Sequence, residues 1–115
     1  MNKVILKGNI SSDIEKRVTG DDKEIATFSV AVRRDHKNAD GNYDADFIRC
    51  VAFGNSASLV NTYFKKGSGI IVEGRIRTGS YEKDGAKYYT TDIIVERVEF
   101  VDKQEKKQES NDLPF

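Results

Sequence analysis

Tryptophan is missing from this 115-residue sequence, and histidine, cysteine and proline each occur once. A lone Cys50 cannot close an internal disulfide, which fits a reducing compartment. With His36 the only histidine, an ordinary His/Cys zinc cluster is excluded. The nine glycines stand singly, so no glycine-rich phosphate loop is present. No apolar run approaches the ~20 residues that a bilayer-crossing helix needs. Met1 and Asn2 lead straight into Lys3-Val-Ile-Leu-Lys without an apolar signal segment, so the expected location is the cytoplasm, with no membrane contact. Asp40, Asp44 and Asp46 are the one carboxylate grouping that resembles a divalent-ion site, as a nuclease would use. They flank a turn, where acids serve turn formation and solubility. No metal, cofactor or catalytic residue is expected.

An excess of charge of one sign is also missing, since 19 basic side chains face 19 acidic ones. The distribution says more than the sum. From Lys65 to Thr91 six basic side chains (Lys65, Lys66, Arg75, Arg77, Lys83, Lys87) outnumber the three acids Glu73, Glu82 and Asp84. A local positive surface on a neutral body follows.

What is present is alternation. Val4, Leu6, Gly8 and Ile10 alternate with Lys3, Ile5 and Lys7, a period-two strand. Residues 11–23 are polar and contain the turn Gly20-Asp21-Asp22. A second strand is predicted over Ile25–Arg33, with Ala26, Phe28, Val30 and Val32 on one face. Asp40-Gly41 signals a hairpin turn into a third strand over Ala45–Phe53. Ser56 is placed to cap a helix in which Leu59, Val60, Tyr63 and Phe64 recur at helical spacing. Lys65 and Lys66 then fall in its last turn and Gly67 ends it. A fourth strand follows from Ile70 to Tyr81, with Gly74 and Gly79 as bend or bulge positions. Asp84-Gly85 turns into a fifth over Lys87–Val101. Five strands with one short helix between the third and fourth predict an all-β fold, the five-stranded Greek-key barrel of the OB-fold, although another small β-rich domain shares the pattern. The predicted domain is 1–101. Residues 102–115 form a polar tail, expected to be disordered, which ends in the acidic and aromatic tip Asp112-Leu113-Pro114-Phe115.

Function first shows in strand parity. Phe47, Arg49, Val51 and Phe53 share the face opposite Ile48, Cys50 and Ala52. Glu73, Arg75, Arg77 and Tyr81 share the face opposite Ile70, Val72, Gly74 and Ile76. Aromatic rings stack on unpaired bases without reading their order, and cations neutralise neighbouring phosphates. The same rings also suit packing against the helix or a second subunit, so each is open to both readings. Of Tyr88 and Tyr89, which straddle the two faces of one strand, one is expected inside.

The segments Asn2-Lys-Val-Ile-Leu-Lys-Gly-Asn-Ile, Ala26-Thr-Phe-Ser-Val-Ala-Val and Asp46-Phe-Ile-Arg-Cys-Val-Ala-Phe-Gly carry a resemblance. So do Tyr63-Phe-Lys-Lys-Gly-Ser, Val72-Glu-Gly-Arg-Ile-Arg-Thr and Tyr88-Tyr-Thr-Thr-Asp. In this order and spacing the chain resembles the bacterial-type single-stranded DNA-binding protein family along essentially its whole length. The resemblance implies an OB domain without enzymatic activity, commonly a homotetramer, that binds and protects single-stranded DNA in replication, recombination and repair. It implies stacking roles for Phe47, Phe53 and Tyr81, and for His36 in the loop after the second strand. It implies backbone contacts for Lys3, Lys7, Arg33, Arg49, Lys65, Arg75, Arg77 and Lys87. The tip Asp112, Leu113, Pro114 and Phe115 resembles the family's docking peptide for replication and repair proteins, with Asn111 where another acid is usual. Only ten residues, 102–111, precede that tip, in place of a long linker, and the short tail is similar to phage- or plasmid-encoded members.

Overall fold

The alternating stretches become strands that close on themselves. The computed structural model describes residues 1–101 and orders them β1 (Val4–Ile10), β2 (Glu15–Val18), β3 (Glu24–Lys37), β4 (Tyr43–Phe53), α1 (Asn55–Tyr63), β5 (Gly69–Lys83) and β6 (Ala86–Phe100). β1 pairs antiparallel with β5, and β5 pairs with β6. β6 runs parallel to β4, which pairs antiparallel with β3. The ring closes where β3 meets β1 at Asn9↔Ala31 and Ile10↔Val30. This is the five-stranded OB barrel expected from the alternation.

β2 is an addition. It lies along β3 from Glu15↔Thr27 to Val18↔Glu24, in a stretch read above only as polar connection. All four of its residues are exposed, so no apolar alternation announces it.

The inward parity fills the barrel. Ala26, Phe28 and Val30 of β3 meet Cys50 and Ala52 of β4, Ile70 and Val72 of β5, and Ile93 and Val95 of β6. Ile10 joins them, and α1 covers one end with Ala57 and Val60. Cys50 is fully buried, and desolvation, aided by the nearby charge of Asp92, pushes its thiol up to about 12.

Two boundaries differ from expectation. α1 stops at Tyr63, because Phe64 turns extended and places its ring in the core, stacked on Phe100 at 4.6 Å. Lys65 and Lys66 therefore lie beyond the helix. Ser56 does not cap it either: Gly54 holds the N-cap at φ 62°, and the Ser56 hydroxyl donates to the Glu96 carbonyl at 3.4 Å. The long strands also outrun their apolar alternation. Their ladders continue to Lys37↔Tyr43 and Lys83↔Ala86, making two hairpin arms whose side chains are largely exposed. For that reason neither Tyr88 nor Tyr89 packs inside, contrary to expectation.

Closure demands glycine at two positions. A Cβ on Gly8 would sit 2.1 Å from the Ala31 carbonyl oxygen, and one on Gly74 2.2 Å from that of Ile94. At Gly74 the β5–β6 register also shifts, from Glu73↔Arg97 to Gly74↔Val95, which leaves Glu96 as the extra residue. Gly79 carries no such shift, and its Cβ would meet only the Thr90 hydroxyl at 3.1 Å.

Gly74→Ala should therefore lower stability by ~1–3 kcal/mol in urea unfolding. Gly79→Ala should cost much less, and equal losses would show that the carbonyl approach does not matter. Separately, Cys50 should resist a thiol reagent at pH 8, where a thiol of that pKa is ionised to about one part in 10,000, and should react fully once the chain is unfolded.

Candidate nucleic-acid interface

Directly paired residues in an antiparallel ladder share a face. On β4 the outward residues Phe47, Arg49, Val51 and Phe53 lie opposite Ala31, Ser29, Thr27 and Ile25. On β5 the outward residues Arg75, Arg77, Gly79 and Tyr81 lie opposite Ile94, Asp92, Thr90 and Tyr88. The parallel pairing Val51↔Ile94 joins the two sets. One continuous outer surface thus crosses β3, β4, β6 and β5. Gly79 does not slip the register, so Tyr81 stays on the arginine face.

Within this surface the expected rings are open. Phe47 is 70% exposed because small Ala31 stands beside it, while Phe53 is 44% and Tyr81 52% exposed. Tyr81 stacks on Tyr88, with ring centroids 5.3 Å apart, so Tyr88 joins the surface as a residue the sequence reading did not assign. Val51 and Ile94, of the same outward parity, are nevertheless buried. His36 stands on the extended end of β3 rather than in a loop, exposed at the hairpin arm.

The cations fall into groups. Lys3 bridges Glu73 at 2.9 Å and Glu96 at 3.5 Å, and Arg75 reaches Glu96 at 3.2 Å. Arg49 pairs with Asp92 at 3.3 Å. Lys7 and Arg33 line one groove of about 430 Å³ over the β1–β3 seam. Among the described residues, neither Lys7 nor Arg77 has a carboxylate within salt-bridge distance. Arg33 also lies against the Tyr43 ring, 4.5 Å from its centroid, and Lys87 lies near Tyr89 at 5.6 Å. Lys65 sits on the α1–β5 connection, off the strand stripes, and donates its backbone N–H to Ser68 Oγ.

Ion pairing shifts several groups. Hydrogen bonding and charge from Lys3 hold the Glu73 carboxyl below its ordinary range, and Glu73 in turn raises Lys3. On the β3–β4 arm Arg34 does the same to Asp46, gripping one carboxylate oxygen through two nitrogens at 3.1 and 2.8 Å. Among the described residues no three or more His, Cys, Asp or Glu side chains are grouped to hold a metal ion.

The sequence profile of the single-strand binding protein family matches residues 1–101. The chain belongs to that family. It is 44% identical over 104 residues to a single-stranded DNA-binding protein of Clostridium perfringens, covering 89% of this chain and 67% of that one. It is 42% identical over 106 residues to single-stranded DNA-binding protein 3 of Listeria innocua, covering 91% and 66%. The chain thus spans about two thirds of the length of these curated relatives. In fold it is similar to the Plasmodium falciparum SSB solved in complex with ssDNA, with a TM-score of 0.79 at 24% identity over 89% of this chain and 96% of that one.

The lowered Asp46 carboxyl has a signed consequence for pH. Its pair with Arg34 contributes to the arm's order above the carboxyl's unfolded-state pKa, and the contribution is lost as pH falls through the lowered folded-state value. A carbon-detected NMR titration should show Asp46 titrating below an ordinary aspartate. Arg34→Ala should return it to the ordinary range, and an unmoved midpoint would deny the pairing.

Proposed function

We propose that this chain binds single-stranded DNA without reading base order, and shields it during replication, recombination and repair in the cytoplasm. The observation that carries the reading is the outer surface on which exposed Phe47, Phe53 and Tyr81 alternate with Arg49, Arg75 and Arg77 across contiguous strands. Rings of this kind stack only on bases that are free of a partner strand. The activity is binding, with no catalytic step. No helix among the described residues is long and apolar enough to cross a membrane.

Self-association as a homotetramer belongs to the same reading. β1 pairs with β5 from Val4 to Asn9 but meets β3 only at Asn9 and Ile10. An open strand edge therefore accompanies the exposed Ile5, and open edges invite pairing with another chain. The tip Asp112–Phe115 lies outside the described residues, as does the whole tail segment 102–115. Its assignment as a docking peptide for replication and repair proteins rests on the family pattern quoted above. Light scattering should report four chains of 12.9 kDa rather than one.

Binding to oligo-dT should be tight, binding to matched duplex weak, and tyrosine fluorescence should fall as rings stack. Equal affinity for both forms would end the stacking account. Phe47→Ala and Phe53→Ala should each cost ~1–3 kcal/mol of binding. Arg77→Ala should flatten the slope of log K against log salt by ~0.7. Arg49→Ala should flatten it less, because Asp92 already neutralises that cation.

A further inference from the structure

The β3–β4 arm carries an aromatic residue that the third strand's apparent start at Ala45 left out. Tyr43 shares parity with Phe47 and Phe53, and it stands ~13 Å before Phe47 along β4. The acids between them alternate to the other side. There Asp46 is held by Arg34, and Asp44 accepts a hydrogen bond from Asn38 Nδ2 at 3.1 Å. The two β4 acids, Asp44 and Asp46, are thus on the side away from the Tyr43 ring.

The ring is also held in place. The Arg33 guanidinium lies 4.5 Å from its centroid and Lys37 Nζ 5.9 Å, within cation–π reach. Tyr43 nevertheless keeps 44% exposure, and a base needs only one face of a ring. The turn beneath is ordered by Asn38, whose Oδ1 accepts from the backbone N–H groups of Asp40 and Asn42 at 2.9 and 3.0 Å. Gly41 supplies the positive φ of 81° that the turn requires. A ring fixed before binding gives up little freedom when a base lands on it.

We propose that Tyr43 stacks a base of the bound strand, with Arg33 as the residue that positions its ring and Lys37 meeting a neighbouring phosphate. The binding path then runs from the barrel face onto the arm. The inference rests on the single-strand reading above and changes the part assigned to Arg33, from backbone contact to support of an aromatic.

The test compares oligo-dT affinity and thermal melting for the full chain and for Tyr43→Phe, Tyr43→Leu and Arg33→Lys. Tyr43→Leu should weaken binding about five-fold or more, while Tyr43→Phe stays near the parent. Arg33→Lys keeps the charge but loses the flat guanidinium, so it should weaken binding at an unchanged salt slope. Tyr43→Leu binding as tightly as the parent would overturn the proposal. Failure of the parent chain to bind would instead overturn the single-strand reading itself, and the two failures are distinct. Should Tyr43→Leu melt early, photocrosslinking of the unaltered chain to an oligonucleotide bearing 5-iododeoxyuridine decides. Adducts on Tyr43 support the proposal, and adducts confined to Phe47, Phe53 and Tyr81 overturn it.

Discussion

Backbone contact at Gly8 and Gly74 is the constraint on which the remaining architecture depends. Both glycines face inward on the β1–β5 ladder, Gly8 opposite Ile70 and Gly74 opposite Val4. At each, a carbonyl of a third strand approaches to where a side chain would begin. β1 passes from β5 to β3 at the first, and β6 takes up its extra residue Glu96 at the second. A twisted sheet closes into a small barrel only where such bends are permitted. Once the ring is closed with Leu6, Val30, Ile70 and Val72 toward the inside, the opposite parity has no choice of direction. A one-residue slip would bury Arg75 and Arg77 and expose Val72, so packing of the core and presentation of the aromatics are one decision.

The same surface is electrostatically restrained. Lys3, Arg49 and Arg75 each carry a carboxylate partner drawn from Glu73, Asp92 or Glu96. On the proposed single-strand reading a phosphate approaching these cations competes with an existing pair; those of Lys3 and Arg75 are exposed and worth little in water, whereas Asp92 beside Arg49 is only 15% exposed. On that reading the exchange is close to neutral for Lys3 and Arg75, and Arg77 and Lys7, which have no carboxylate partner among the described residues, contribute more per residue. On the same reading, a chain whose charges balance draws a larger share of its affinity from stacking than a strongly basic binder does.

Sequence made the barrel legible because one parity of each strand is buried. Ala26, Phe28, Val30, Cys50, Ala52, Ile70 and Val72 recur at every second position within their strands, and every one is buried, although Val51 and Ile94 of the opposite parity are buried too. The outward rings Phe47, Phe53 and Tyr81 were readable from the same alternation. Where burial stops, the signal stops as well. β2 and both arm tips hold together through ladder hydrogen bonds with their side chains largely exposed, and no hydropathy pattern marks them. Tyr43 was hidden in this way, although extending the third strand's parity by two residues would have found it. The helix end was misplaced for another reason. Phe64 fits helical spacing, yet its ring stacks on Phe100, some 36 positions along the chain, and a contact of that range leaves no local mark.

The division between barrel and arms has a mechanical meaning. Inside the ring the strands are anchored by the core, and Phe47 and Phe53 lie on either side of the stretch of β4, Cys50–Ala52, that pairs with both β3 and β6, so they stand on firmer supports than the arms. The arms have one ladder each and little apolar packing, which places them at the low end of local stability. Each arm compensates with side-chain contacts of its own: Arg34 to Asp46, Asn38 to its turn, and Arg33 to Tyr43 on one; Tyr81 to Tyr88 on the other. These contacts limit ordering costs, yet they are exposed and weak enough to yield. In the Tyr81–Tyr88 pair each ring already occupies a face of the other, so on the proposed reading a base would use an outer face or part the pair. Stacking on the outer face preserves the existing contact and adds a second, which makes a ready-stacked pair the less costly platform for an unpaired base.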